Sequence, residues 1–159
     1  MNALRILRKM TFLSARRRLE WFPPFFLMRI KVVELQSDWS RVIIRLPLNA
    51  FSKNMGDAMF GGYQTSLADP IAALACEKRF PDYSVWTRAM YIDFVRAGNS
   101  DLELRFEFDD SLYHKIKQEL EQTGRSNPVF EYGLYRSDGK ICSKITNTVA
   151  IRPANYRSK

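Results

Sequence analysis

The stretch Asn54-Met-Gly-Asp-Ala-Met-Phe-Gly-Gly-Tyr-Gln-Thr-Ser-Leu-Ala-Asp69 decides how this chain is read. It places an amide side chain, a glycine pair and a carboxylate in one loop-then-helix unit. Asn54 and Gly56 have the chemistry of a turn, and Gly61-Gly62 permits close backbone approach where a helix begins. Asp69 falls about two turns into that helix, on a face otherwise made of Leu67, Ala68, Ile71, Ala72, Leu74 and Ala75. A helix N-terminus offers unpaired N–H groups to a developing oxyanion, and a half-buried carboxylate can act as base or nucleophile. That combination suits acyl transfer. Plainer roles stand beside it: close-packing glycines under a sheet, an Asx-turn at Asn54, and Asp69 bonded to backbone freed by Pro70.

Outward from this unit the helix is predicted over Gly61–Arg79, with Ala68, Ala72, Ala73 and Ala75 permitting close approach of a sheet. Pro70 cannot donate to the Ser66 carbonyl, so a kink is expected just after Asp69. Upstream, Phe26–Ser37 and Arg41–Leu46 read as strands joined through Ser37-Asp38-Trp39-Ser40, the simplest pairing being an antiparallel hairpin. Downstream, Val85–Arg96 and Asp101–Asp109 alternate as two long strands joined at Ala97–Ser100. A short helix over Leu112–Gln122 ends at Gly124, and a last hairpin pairs Val129–Tyr135 with Ile141–Ile151 across Ser137-Asp138-Gly139. The fold class is α+β.

The 159 residues suit one domain, and an apolar fraction of 46% argues against disorder. A formal charge of +8 suits nucleic acid, an anionic membrane surface, a polyphosphorylated ligand or simply a solvated basic surface. Cys76 and Cys142 have no metal-type spacing, and the only histidine, His114, has no cysteine near it, so no metal site is expected. No apolar run approaches the roughly 20 residues that span a bilayer. In the first twenty residues Leu4, Leu7, Met10 and Leu13 recur at helical spacing among Arg5, Arg8, Lys9 and Arg16-Arg17-Arg18. This reads as a basic N-terminal helix, either laying an apolar stripe on the domain, the simpler reading, or serving as a surface-binding or transit segment. It ends at Trp21-Phe22-Pro23-Pro24, where the proline pair is expected to stop it. Residues 1–24 form this helix and break, 25–152 the main domain, and 153–159 a tail.

The element order and the glycine-opened helix resemble the hotdog fold, in which a curved antiparallel sheet of about five to six strands wraps around one long helix. The local sequence resembles the acyl-CoA thioesterases of the phenylacetate-pathway type, whose motif runs Asn, Gly, His-Gly-Gly and then a small-residue helix carrying Asp. Asn54, Gly56, Gly61, Gly62 and Asp69 match in identity and spacing, and Thr87–Ala97 resembles the strand that follows. The sequence departs from the pattern at Phe60, which stands where the family has His, and at Pro70 after the carboxylate. That histidine is not the family's general base, so hydrolysis remains compatible with Phe60.

The resemblance implies hydrolysis of an acyl-CoA thioester. Asp69 would activate water or attack the carbonyl, the Gly61 N–H would polarise the thioester oxygen, and Asn54 would orient the nucleophile. Gly62, Phe60, Tyr63 and Thr87 would contact substrate, with Phe60, Tyr63 and Phe94 as candidates for the acyl tunnel. Arg88 and Arg96 would meet the phosphates of coenzyme A, which enters as part of the substrate; no separate cofactor is implied. In the family one subunit's helix N-terminus faces the other's carboxylate, so a homodimer, alone or paired into a tetramer, is expected, in the cytoplasm. The rival expectation is a non-catalytic acyl- or CoA-binding protein of regulatory role. Nucleic-acid binding is not expected, since no recognition motif accompanies the charge.

Overall fold

The computed structural model describes residues 14–154 and 156. The helical reading of residues 4–13 lies outside them. Among the described residues two short helices come first, α1 (Ala15–Glu20) and α2 (Pro23–Met28). Then follow strands β1 (Lys31–Leu35) and β2 (Arg41–Leu46), the central helix α3 (Gly61–Arg79), β3 (Tyr83–Phe94), β4 (Leu102–Glu107), α4 (Asp110–Thr123), β5 (Val129–Arg136) and β6 (Ile141–Pro153).

Pro23-Pro24 begins a helix as well as ending one, and Phe26–Met28 is helical where a strand was expected. The cause is positional: proline at the first helical residues has its φ already set and lacks only an N–H that would have no partner there. Phe25 and Met28, one turn apart, are buried and anchor α2 to the core. Arg29 then ends the helix in the left-handed region at φ 55°, which turns the chain into β1.

The six strands form one antiparallel sheet in the order β1-β2-β4-β5-β6-β3. Both expected hairpins are present, β1–β2 and β5–β6, the second closing on Gly139 at φ 78°. Alternation sets the inner face: Val42, Ile44 and Leu46 on β2 lie opposite Phe106, Leu104 and Leu102 on β4, all buried. Leu67, Ala68, Ile71, Ala72, Ala75 and Cys76 of α3 pack onto this face and are fully buried. The alanines let the helix approach the strands closely. The architecture is the sheet-around-a-helix arrangement that the resemblance implies.

Two terminal details follow from sequence chemistry. α4 is capped by the Asp109 carboxylate, which accepts from the Leu112 N–H at 3.0 Å, and it stops at Gly124 in the left-handed conformation. The Ser111 hydroxyl first, and the Leu112 N–H second, hold the Asp109 carboxyl below its ordinary value. Its contribution is therefore present above the usual carboxylate range and is lost as pH falls through the lowered value. At the other end of the core, the Arg79 guanidinium stacks on Phe108 and Tyr113 at 4.7 and 4.5 Å and ties the end of α3 to α4.

β3 is the feature that matters for function. It runs twelve residues, pairs among the described residues only with β6, and forms one edge of the sheet. Tyr91 (68% exposed) and Phe94 project from it into solvent. A long edge strand with exposed aromatic side chains is a template for pairing with another chain.

Candidate functional site

The loop ahead of α3 is built by Asn54. Its Oδ1 accepts from the Gly56 N–H at 2.9 Å and the Ala58 N–H at 3.2 Å, so the Asx-turn role is realised in this chain. The loop is then held on both sides: the Phe60 N–H donates to the Ser52 carbonyl at 2.7 Å, and the Met59 N–H to the Gly98 carbonyl at 2.8 Å. Phe60 is the N-cap residue, extended at φ −61° and ψ 130°, and no side chain caps the helix. Its carbonyl receives the Tyr63 and Gln64 N–H groups, while those of Gly61 and Gly62 have no acceptor among the described residues. Two open donors thus sit at the positive end of a 19-residue helix.

Side chains could not replace those glycines freely. A Cβ at residue 61 would stand 3.1 Å from the Phe94 ring, and one at residue 62 would collide with the Phe60 ring. Phe60, half exposed, meets Tyr63 edge-on at 6.3 Å and lays apolar surface beside the open N–H groups.

Asp69 is exposed in the single chain, not half-buried as the apolar face had suggested. Its neighbours Leu67 and Ala68 take the core contacts there and are fully buried, while the Asp69 side chain is left to solvent. Its carboxylate makes no hydrogen bond or ion pair among the described residues, so it is not occupied by backbone groups near Pro70. The helix is continuous through Pro70.

What grips this part of the helix was not foreseen from the sequence. The Tyr132 hydroxyl donates to the Ala68 carbonyl at 2.7 Å. The Asn147 amide donates to the Asp69 carbonyl at 3.0 Å and to the Tyr132 oxygen at 3.0 Å. The Thr87 hydroxyl donates to the same Asp69 carbonyl at 2.8 Å. Thr87 is therefore committed to the helix backbone rather than free near a reacting centre. Burial pushes the Tyr132 phenol above its ordinary value; the Asn147 amide opposes the rise and the Asp69 charge adds to it, so it remains a neutral donor. Tyr132→Phe is expected to destabilise the fold by about 1–3 kcal/mol, since it leaves a buried carbonyl and amide short of a partner; urea unfolding measures this.

A second buried cluster fixes the start of α3. Gln64 Nε2 donates to the Met59 carbonyl at 3.2 Å, and its Oε1 accepts from the Ser143 hydroxyl at 2.6 Å. The signal for both sets lay in register: Tyr132, Ser143 and Asn147 are polar residues at inward positions of β5 and β6, next to Phe130, Leu134, Ile145 and Val149. Neither thiol is poised as a nucleophile. Cys76 and Cys142 are buried, and burial raises both above the ordinary value.

The arginines divide. Arg88 is exposed on β3, whereas Arg96 donates to the Ile141 carbonyl at 3.0 Å. Among the described residues nothing closes Phe60, Tyr63 and Phe94 into the expected aromatic-lined tunnel: Phe60 and Phe94 face solvent on the α3–β3 side.

Helix and edge strand run in opposite directions along each other. Gly61 lies at Phe94, and Asp69 lies at Thr87. The two candidate centres are eight residues apart on one helix, about 12 Å of rise. They cannot meet on a single carbonyl within one chain.

Comparison with known proteins places these features in context. Residues 13–151 match a family model described as a domain of unknown function, DUF4442. No curated protein sequence matches significantly. Solved structures do. A probable thioesterase of Pseudomonas aeruginosa superimposes with a TM-score of 0.77 at 17% identity, covering 87% of this chain and 93% of its own. A thioesterase of Haemophilus influenzae gives 0.70 at 13%, covering 92% and 96%. The PaaI protein of the phenylacetic acid degradation operon of E. coli gives 0.58 at 17%, covering 80% and 81%. At these identities the likeness establishes the fold, the hotdog fold.

Proposed function

The chain belongs to the DUF4442 family and has the hotdog fold, and from that premise we propose that it hydrolyses acyl-CoA thioesters as a homodimer. The observation that carries the reading is the pair of open N–H groups at Gly61-Gly62 together with an unengaged Asp69 carboxylate along the same edge strand. Solved relatives described as thioesterases support the reaction class.

The geometry of the edge supports the dimer. Gly61 is held at Phe94 and Asp69 at Thr87, so an antiparallel pairing of two β3 strands centred near Met90 and Tyr91 sets residue 94 of one copy opposite residue 87 of the other. Gly61 of one subunit then approaches Asp69 of its partner. In that arrangement the Gly61 N–H stabilises the oxyanion as Asp69 takes a proton from water. Water's oxygen bonds to the acyl carbon, the C–S bond breaks, and the proton leaves with the coenzyme A thiolate. Phe60, Tyr63 and Phe94 supply apolar surface to the acyl chain, and of Arg88 and Arg96 it is Arg88 that makes no hydrogen bond or ion pair among the described residues and can meet a phosphate. Asn54, having spent its Oδ1 on the loop, positions that loop and has only its amide N–H groups left for a ligand.

The test is thiol release from a panel of short-, medium- and long-chain acyl-CoAs, with molecular mass measured in parallel. Hydrolysis is expected from a species of twice 18.6 kDa. Tyr91→Asp, which puts like charges together at the centre of the pairing, is expected to yield monomers without turnover but with an unchanged far-UV spectrum. Binding of acyl-CoA without turnover would instead favour the second reading, a non-catalytic acyl-binding protein, which draws on Phe60 standing where the motif that the sequence resembles has His. Neither binding nor hydrolysis would sink both.

A further inference from the structure

Away from α3 and β3, the face formed by α1, α2 and the loop after β2 carries a groove of about 560 Å³ lined by Trp21, Phe26, Leu27, Arg29, Lys31 and Phe51, with Glu20 and Ile30 behind them. Its rim is apolar and exposed among the described residues: Trp21 is 47% exposed, Phe26 62%, Leu27 72% and Phe51 71%. Phe26 and Leu27 belong to the face of α2 opposite the anchors Phe25 and Met28, so their exposure is set by the helix itself. Four large apolar side chains around one depression exceed what scattered surface residues would give.

The charge around the groove is mainly positive. Arg29 leans over the Phe51 ring at 5.4 Å. Arg17 and Arg18 stand one helical turn before Trp21. None of these three arginines has a carboxylate partner among the described residues. The one carboxylate in the groove, Glu20, is engaged by the Val32 N–H at 2.9 Å and lies 4.0 Å from Lys31. In sequence, the thirteen residues before Ser14 include Arg5, Arg8 and Lys9 with Leu4, Leu7, Met10 and Leu13, and contain no acid.

We propose that this face is a peripheral docking surface for an anionic lipid bilayer. Trp21, Phe26, Leu27 and Phe51 enter the boundary between headgroups and acyl chains, while Arg17, Arg18 and Arg29 meet lipid phosphates. Aromatic and aliphatic residues flanked by unpaired arginines are the composition that binds an interface, and such binding needs no spanning segment. No helix among the described residues is long and apolar enough to cross a membrane. Anionic lipid, rather than an acidic protein surface, fits because the cations stand around an apolar rim, as phosphates stand above acyl chains. The proposal uses neither Asp69 nor Gly61 and stands apart from the reaction.

The experiment is flotation of the full-length protein with vesicles of phosphatidylcholine alone, or with phosphatidylserine as about a third of the lipid. Co-flotation is expected with the anionic vesicles only, and it should weaken as salt is raised. The double variant Phe26→Ser, Leu27→Ser alters exposed positions and is expected to lower the bound fraction about tenfold or more with an unchanged melting temperature. Arg17→Glu with Arg18→Glu is expected to remove the preference for anionic lipid. Absence of flotation by the full-length chain, or flotation indifferent to the Phe26 and Leu27 changes, overturns the proposal. A change in oligomeric mass on those substitutions, without lipid binding in the wild type, would assign the face to a second copy and overturn it equally.

Discussion

Asp69→Asn is expected to lower acyl-CoA turnover by about 10²–10⁴-fold, the range that a positioned general base contributes. Stability should not change with it. The Asp69 carboxylate is exposed and makes no hydrogen bond or ion pair among the described residues; it is the Asp69 carbonyl that Thr87 and Asn147 hold. The substitution keeps size and backbone and removes only the charge and the basic oxygen. A rate loss with an unchanged urea midpoint therefore isolates the chemistry. Turnover at the wild-type level in the Asn variant would remove Asp69 from the reaction, whatever the fold suggests.

Gly61→Pro is expected to cost about 10²–10³ in turnover, the usual effect of deleting one oxyanion donor. Proline suits the position structurally. Residue 61 is the first of the helix, where proline is favoured, and Phe60 before it already has the extended backbone that a following proline demands. The ring need only displace the end of the exposed Phe94 side chain, 3.1 Å from where a Cβ would stand. The N–H is lost and the helix is kept. Mixing this variant with Asp69→Asn under subunit exchange tests the shared site directly. Half of the dimers are then mixed, and each holds one site with both groups intact, so about a quarter of wild-type turnover should return. No recovery from two variants that each dimerise would confine the reaction to one chain.

Much of the frame is legible in the sequence. The β1–β2 and β5–β6 hairpins were announced by turn residues between alternating runs, and α4 by Gly124. α3 was visible from its glycine opening and small apolar residues. Phe26–Met28 carries the composition of the Ile-, Val- and Leu-rich strand that follows it, but its position after two prolines makes it helix. A proline pair that stops one helix is also the best start for another, and Phe25 with Met28 is a helical spacing. Tyr132 and Asn147 escaped notice because a polar residue on an inward strand face has meaning only once its partner is known, and that partner is a helix carbonyl 64 residues away in the case of Tyr132.

The sequence by itself determined the pieces: a turn at Asn54, open donors at Gly61-Gly62, a carboxylate at Asp69, and the strands to wrap a helix. Each depends on local chemistry, on turn residues, alternation and the i, i+4 rule of a helix, and so is written in neighbouring residues. Tertiary structure decided the rest. It set α3 against β3 in opposite directions, with Gly61 at Phe94 and Asp69 at Thr87, and it left β3 at the edge with Asp69 exposed. Those facts rest on which strands pair and which side chains the core can accommodate, contacts between residues far apart in the chain that no local pattern encodes.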